Sequence, residues 1–145
     1  MKVQDILQKK SANVLMIHPQ QTLYEASKIL AEHNIGALLV EDDAHEVVGI
    51  LSERDIVREL AKVGDRIASV RVGEVMTTDL VTVLPEDEVA DLSVTMTHKR
   101  IRHLPVMVDG KLVGIVSIGD VVKAQLEYYE GESQYLQTYI AGGYT

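Results

Sequence analysis

The chain contains one segment written twice, and this repeat is the feature that most limits how it can fold. Residues 49–55 read GILSERD and residues 114–120 read GIVSIGD, so glycine, serine and aspartate recur at a shift of 65 positions. The surroundings repeat too, since Pro85 matches Pro19 at a shift of 66. A chain of 145 residues suits one compact domain or two small halves that share a core. We therefore expect two sister units.

Each copy shows the pattern of a strand, a helix, two strands and a helix. In the first copy, residues 14–17 form a short apolar run that predicts a strand. Thr22 and Glu25 have the spacing of a capping box and predict a helix that ends before residue 36. Residues 37–40 and 47–50 are apolar runs on either side of an acidic loop, which predicts a hairpin.

The second copy has a clearer hairpin signal. Asp109 and Gly110 separate two apolar runs, and this pair favours a type I′ turn, in which both residues need positive φ. Residues 62–71 show no clear period and are interpreted as a linker. Because each copy is too small to bury its sheet alone, we expect the two to pack together with approximate twofold symmetry.

The predicted fold class is α+β, a mixed α/β fold of two β-α-β-β-α repeats with a C-terminal helix. The predicted units are residues 1–65, residues 66–126 and a helical extension over residues 127–145. Near the C-terminus, apolar residues recur about every 3.5 positions, as in a helix that packs on a partner helix: Val122, Leu126, Tyr129, Leu136 and Ile140. Five of the six tyrosines lie between residues 128 and 144, and Gly142 with Gly143 predicts the end of the helix. We expect a homodimer; the alternative is an amphipathic helix that lies on its own chain.

Composition excludes several kinds of protein. A net charge of −8 disfavours nucleic acid as a partner. The chain has no cysteine, and its five histidines lack ligand spacing, so no metal site is predicted. The sequence shows no nucleophile elbow and no Walker lysine, so no catalytic residue is predicted. No apolar run is long enough to span a bilayer, and we expect a cytoplasmic protein that is not an enzyme.

Two readings of the repeated serine and aspartate remain open. The spacing in Ser52 and Asp55, and again in Ser117 and Asp120, is close to a capping box, so these residues could serve only to start a helix. Alternatively, the helix N-terminus and the serine hydroxyl could hold a phosphate. The aspartate could then accept hydrogen bonds from both hydroxyls of a ribose.

The duplicated pattern, with Gly-x-x-Ser-x-x-Asp closing both copies and Met76-Thr77 opening the second, resembles a tandem pair of CBS domains, also called a Bateman module. The resemblance covers residues 3 to about 126. The run into the last helix is similar to that of the small stand-alone bacterial members of this family. The resemblance implies binding of AMP, ADP, ATP, S-adenosylmethionine or NAD(H) in up to two clefts between the repeats.

The resemblance also implies that each cleft takes its aspartate from one repeat and its base-facing wall from the other. The first cleft then combines three residues of the segment 49–55 with four residues of the second repeat. They are Ser52, Arg54 and Asp55 from the first repeat and Thr82, Arg102, His103 and Pro105 from the second. Arg54, Arg102 and His103 are expected at the phosphate, and Thr82 at the base or sugar. Lys99 and Arg100 are interpreted as cations that offset a helix C-terminus.

The second cleft is expected to join the repeated motif of the second copy to residues of the first: Ser117, Asp120, Met16, Ile35, Gly36 and Ala37. Gly36 and Ala37 stand where the first cleft has Arg102 and His103, so this cleft lacks those cations. We expect it to take a less charged adenosine ligand, the far half of a dinucleotide, or nothing.

Together these expectations describe a non-enzymatic sensor that binds an adenosine nucleotide, with AMP first, and reports its presence to an unidentified protein target. The alternative is a ligand-free scaffold that only dimerises.

Overall fold

The computed structural model describes the backbone of residues 1–10 and 14–140, and the side chains as far as residue 132. The elements of the first half are α1 (Val3–Lys9), β1 (Met16–Ile17), α2 (Leu23–His33), β2 (Ala37–Glu41), β3 (Val47–Ser52) and α3 (Glu53–Val63). Those of the second half are α4 (Val72–Val75), α5 (Val89–Lys99), β4 (His103–Val108), β5 (Lys111–Ser117) and α6 (Ile118–Ile140). This order confirms the duplicated mixed α/β pattern.

Side chains near the helix ends explain where the helices begin and end. The Thr22 hydroxyl accepts a hydrogen bond from the Glu25 amide at 3.2 Å and begins α2. The capping box predicted there is incomplete, because the Glu25 carboxylate accepts from Gln21 Nε2 at 2.9 Å instead. Asn34 and Arg100 end α2 and α5 in the left-handed conformation, with φ of 53° and 55°. Both residues thereby turn the chain towards the next strand.

The two halves form separate small sheets. In the first, β2 lies between β1, which is parallel to it, and β3, which is antiparallel. Within the described residues, the second sheet consists of β4 and β5, and the strand expected before α5 is reduced to one parallel bridge between Val83 and Val106. In the second hairpin, Asp109 and Gly110 have φ of 50° and 77°. This confirms the predicted positive φ at both turn residues.

Each half has its own hydrophobic core, but the short helices α1 and α4 are exchanged between the halves. Val3 and Ile6 of α1 belong to the core of the second half, whereas Val72 of α4 belongs to the core of the first. Backbone hydrogen bonds fix this exchange, from the Val3 amide to Asp87 O at 2.9 Å and from the Val72 amide to Gln21 O at 2.8 Å. The predicted division near residue 65 therefore separates the repeats in sequence without separating the packed cores.

One segment differs from the sequence expectation, and another agrees with it. The predicted linker over residues 62–71 contains a 3₁₀ helix, Gly64–Ser69, whose Ile67 packs against the first core. Helix α6 runs without a break from the second repeat to Ile140, so the predicted extension is the continuation of that helix. The side chains of Leu136 and Ile140, the tyrosines after residue 132 and the predicted stop at residues 142–143 lie outside the described part.

Candidate functional site

One cleft brings together predicted site residues from both halves of the chain. It has a volume of about 720 Å³, which includes its open mouth. Its lining consists of Gly36, Ile50, Ser52, Glu53, Arg54, Asp55, Arg58, Thr77, Arg100, Ile101, Arg102 and His103. We call it the arginine cleft, because four of these residues are arginines.

The first wall of the arginine cleft is the junction of β3 and α3. The Ser52 hydroxyl accepts from the Asp55 amide at 3.2 Å, and Asp55 Oδ2 accepts from the Ser52 amide at 2.9 Å, which completes a capping box. Ser52 and Asp55 therefore cap the helix and at the same time line the cleft. The cap uses one carboxylate oxygen of Asp55, and within the described residues Oδ1 has no hydrogen bond. Asp55 thus retains an acceptor for a ligand.

The opposite wall is the turn between α5 and β4. After the left-handed Arg100, the Ile101 amide donates to Met96 O at 3.1 Å. The Ile118 amide then donates to Arg102 O at 2.8 Å, which ties this turn to the start of α6. Backbone hydrogen bonds therefore fix this turn, and Arg100 and Arg102 line the cleft from it.

The cleft carries an excess of positive charge. Among the described residues, none of its four arginines forms an ion pair or a side-chain hydrogen bond. Guanidinium groups bind carboxylate and phosphate through paired hydrogen bonds. The arrangement is therefore complementary to an anion, in a chain whose overall charge is −8.

His103 lies at the point where the two halves meet. Burial lowers the pKa of its ring below the usual value, and nearby Lys10 and Arg102 act in the same direction, while Glu53 and Asp120 oppose them. The ring is therefore neutral at pH 7. A Cβ atom on Gly36 would lie 3.2 Å from His103 Cε1 and 2.8 Å from Glu53 Oε1. Gly36, which the sequence analysis assigns to the second cleft, thus belongs to the wall of the arginine cleft.

Two residues predicted for the first cleft do not line it. Thr82 is exposed beside the single bridge that replaces a strand. Pro105 is buried in β4, where its carbonyl accepts from the Val83 amide at 3.0 Å. The neighbouring Val83 bonds to β4 through both its amide and its carbonyl, and the Thr82 side chain is left exposed.

Two of the four cleft arginines were missed by sequence reasoning. Arg58 lies one helical turn after Arg54, and this spacing of four, which places two side chains on one helix face, was a readable signal. Arg100 was interpreted only as a cation at a helix end. It does end α5, but its left-handed backbone also brings it into the cleft lining.

Asp120, the counterpart of Asp55, is held differently. It forms the same cap, since Asp120 Oδ2 accepts from the Ser117 amide at 2.8 Å and the Ser117 hydroxyl accepts from the Asp120 amide at 3.1 Å. In addition, Lys10 Nζ lies 2.6 Å from Asp120 Oδ2 and 2.8 Å from Ile115 O. Partial burial acts to raise the pKa of Asp120, but the Lys10 hydrogen bond and the Ser117 amide outweigh it and keep that pKa below its usual value.

The structure does not assemble the second cleft as predicted. The cavity at Asp120, of about 400 Å³, is lined by Met1, Asp5, Ile6, Lys9, Lys10, Lys123, Ala124 and Glu127. Met16 lies in β1, paired with Leu39, and Ala37 is buried in β2. Ile35 packs against the first core. Residues of α1 and Lys10, which follows that helix, lie beside Asp120 instead.

Two kinds of site are absent from the ranges that the structure describes. No three His, Asp or Glu residues in these ranges are grouped so that they could hold a metal ion. No helix in them is long and apolar enough to cross a membrane.

Comparison with known proteins identifies a family. The family model of the CBS domain matches residues 3–62 and 72–127. The CBS domain-containing protein CBSX3, mitochondrial, of Arabidopsis thaliana is 38% identical over 150 residues, which covers 98% of this chain and 73% of the relative. The crystal structure of the CBS-domain containing protein ATU1752 from Agrobacterium tumefaciens has a TM-score of 0.84 at 39% identity, covering 86% of this chain and 92% of that one.

A further solved structure contains bound ligands. The CBS domain pair of protein MJ0100, in complex with 5-methylthioadenosine and S-adenosyl-L-methionine, has a TM-score of 0.77 at 29% identity. The match covers 88% of this chain and 98% of that one.

Proposed function

This chain belongs to the CBS-domain family as a tandem pair, and from that premise we propose that it is a regulatory module that binds an adenosine nucleotide in the arginine cleft. One observation carries the proposal: a carboxylate from the first repeat and cations from the second line the same cleft. The complex of protein MJ0100 with two adenosine-containing ligands supports the ligand class.

The charge of the cleft favours a ligand that carries phosphate. Each arginine without an internal partner offers charge-assisted hydrogen bonds to phosphate oxygens. S-adenosylmethionine has a positively charged sulfonium and would be repelled by the same arginines. We therefore place the phosphate-bearing ligands AMP, ADP, ATP and NAD(H) ahead of S-adenosylmethionine, and we take AMP as the first to test.

The proposed roles follow from position in the cleft. Asp55 accepts hydrogen bonds from the ribose, because its side chain is oriented by the cap and keeps an acceptor. Arg54 and Arg102 line the cleft from opposite repeats and bind the phosphate. Ile50 and Ile101 are the apolar lining residues and contact the flat base.

The regulatory mechanism is a change in the packing of the repeats. A ligand that contacts both halves stabilises one relative arrangement only through its differential affinity for the two arrangements. The protein that responds is unidentified, and the module itself performs no reaction. A cytosolic location is part of the proposal; the relative from Arabidopsis thaliana is named mitochondrial.

We also propose a homodimer that uses α6. Val122 and Leu126 lie on one helix face and are 46% and 56% exposed, and Tyr128 and Tyr129 follow as exposed aromatic residues. Exposed apolar side chains grouped on one face are typical of an interface. Light scattering during gel filtration should report twice the chain mass of 16.0 kDa; a monomer at 100 μM would contradict this part of the proposal.

A thermal shift experiment tests the main proposal against the ligand-free scaffold. AMP, ATP, NADH and S-adenosylmethionine are added separately at millimolar concentration. A ligand present at 100 times its Kd stabilises the folded state by about 2.7 kcal/mol, so AMP should raise Tm by several degrees and S-adenosylmethionine by less. Absence of a shift with all four ligands would favour the scaffold.

A further inference from the structure

The two short exchanged helices differ in length. α1 contains 7 residues and α4 contains 4, yet both dock in the same way. A Cβ atom on Gly114 would lie 2.7 Å from Leu7 Cδ2, and one on Gly49 would lie 2.7 Å from Met76 Sδ. Leu7 and Met76 are thus equivalent, and the extra turn of α1 comes after this shared contact.

That extra turn changes which group donates a hydrogen bond to the strand on which each helix docks. In the first half, the Thr77 amide donates to Ile50 O at 2.9 Å, and Ile50 lines the arginine cleft. The equivalent strand residue in the second half is Ile115, at the repeat shift of 65. Its carbonyl accepts instead from Lys10 Nζ at 2.8 Å. A charged side chain therefore takes the place of a backbone amide.

The same ammonium group neutralises the repeated aspartate. Lys10 Nζ lies 2.6 Å from Asp120 Oδ2, and the two side chains are only 32% and 22% exposed. In the described part of the chain, Asp55 forms no ion pair. A neutral sugar hydroxyl bonds a carboxylate more weakly than a partly buried ammonium group does. A ribose that approached the other oxygen of Asp120 would therefore meet a carboxylate whose charge Lys10 already balances.

We propose that Lys10 is a built-in occupant of the second ribose position, so that the module binds one nucleotide per chain, in the arginine cleft. The proposal rests on the proposed function, because it treats Asp120 as the equivalent of a ribose-binding Asp55. The extra turn of α1 brings Lys10 to Asp120, and it thereby sets the number of nucleotide sites per chain to one rather than two.

Equilibrium dialysis with radiolabelled AMP counts the sites in the full chain. The wild type should saturate at one AMP per chain. Lys10→Met keeps the length of the side chain and removes its charge, and it should bind a second AMP with lower affinity. Lys9→Met is the matched control: Lys9 is the last residue of α1, directly before Lys10, and its ammonium group pairs with Glu127 at 3.4 Å rather than with Asp120. It should leave the count at one.

The possible results separate this inference from the proposed function. Two AMP per chain in the wild type, or one in a folded Lys10→Met variant, would overturn the role of Lys10 and leave the arginine cleft intact as a site. No AMP bound to the wild type would overturn the proposed function itself. If Lys10→Met fails to fold, Lys10→Gln supplies an amide donor for Ile115 O without the charge. Two AMP molecules per chain of Lys10→Gln would support the inference, and one per chain would overturn it.

Discussion

Replacing Arg102 with glutamine tests the arginine cleft without disturbing the fold. Arg102 is exposed, and its side chain has no ion pair among the described residues. Its structural contact is the backbone carbonyl that accepts from the Ile118 amide at 2.8 Å, which the substitution retains. Surface changes of this kind alter stability by less than about 0.5 kcal/mol. A loss of affinity would therefore report the missing guanidinium.

The expected loss follows from the strength of one charge-assisted hydrogen bond. Such bonds contribute about 1.5–3 kcal/mol, and each 1.4 kcal/mol corresponds to about tenfold in Kd. The contribution of Arg102 is expected at the low end of this energy range, because the side chain is exposed and solvent screens its charge. Three other arginines remain in the cleft. We expect Arg102→Gln to weaken AMP binding by about tenfold.

Isothermal titration calorimetry at 0.15 M salt measures this change. Arg66→Gln is the control, because it removes the same charge from an exposed position in the 3₁₀ helix that does not line the cleft. Adenosine is a second control, since it has the ribose and base but no phosphate, and its affinity should change by less than threefold. An AMP affinity that falls equally in both variants, or does not fall in Arg102→Gln, would refute the reasoning.

Three further predictions concern the ribose contact, pH and packing. Asp55→Asn should weaken AMP and adenosine alike, by at least tenfold in calorimetry, because the lost charge serves the ribose. His103 has a lowered pKa in the free protein, and a bound phosphate raises it. Binding therefore takes up a proton, and AMP affinity should increase as pH falls from 7 to about 6. Gly49→Ala should cost about 1–3 kcal/mol in urea unfolding and Gly114→Ala less, since the new Cβ atom of the former also lies 3.0 Å from a backbone oxygen.

Each of these predictions has its own control and its own contrary result. If Asp55→Asn weakens the binding of AMP but not that of adenosine, Asp55 does not contact the ribose. His103→Gln should reduce the pH dependence to that of the phosphate itself, and an unchanged profile would assign the proton to another group. Equal losses of stability in Gly49→Ala and Gly114→Ala would show that the backbone contact is unimportant.

Sequence reasoning predicted the parts of this protein that depend on local signals. Asp109 and Gly110 indicated the turn in which both have positive φ. The spacing of Ser52 and Asp55 indicated the cap that starts α3. The repeat itself led to the CBS-domain pair, because every element recurs at nearly one shift. That these residues bind a ligand remains a prediction.

The parts that sequence reasoning missed depend on which distant surfaces meet. The exchange of α1 and α4 is not encoded in any local pattern, since either helix would fit its own half by hydrophobicity alone. The sequence therefore predicts no role for Lys10, although the exchange places it against Asp120. Met16 and Ala37 were assigned to the second cleft by symmetry, and the longer α1 breaks that symmetry.

Native mass spectrometry of the purified protein after incubation with AMP tests the central claim most directly. The account predicts one AMP per chain, with the bound mass lost when Asp55→Asn and Arg102→Gln are combined. A wild-type spectrum without bound nucleotide at millimolar AMP, or a double variant that retains it, would contradict the claim that the two repeats bind one nucleotide between them.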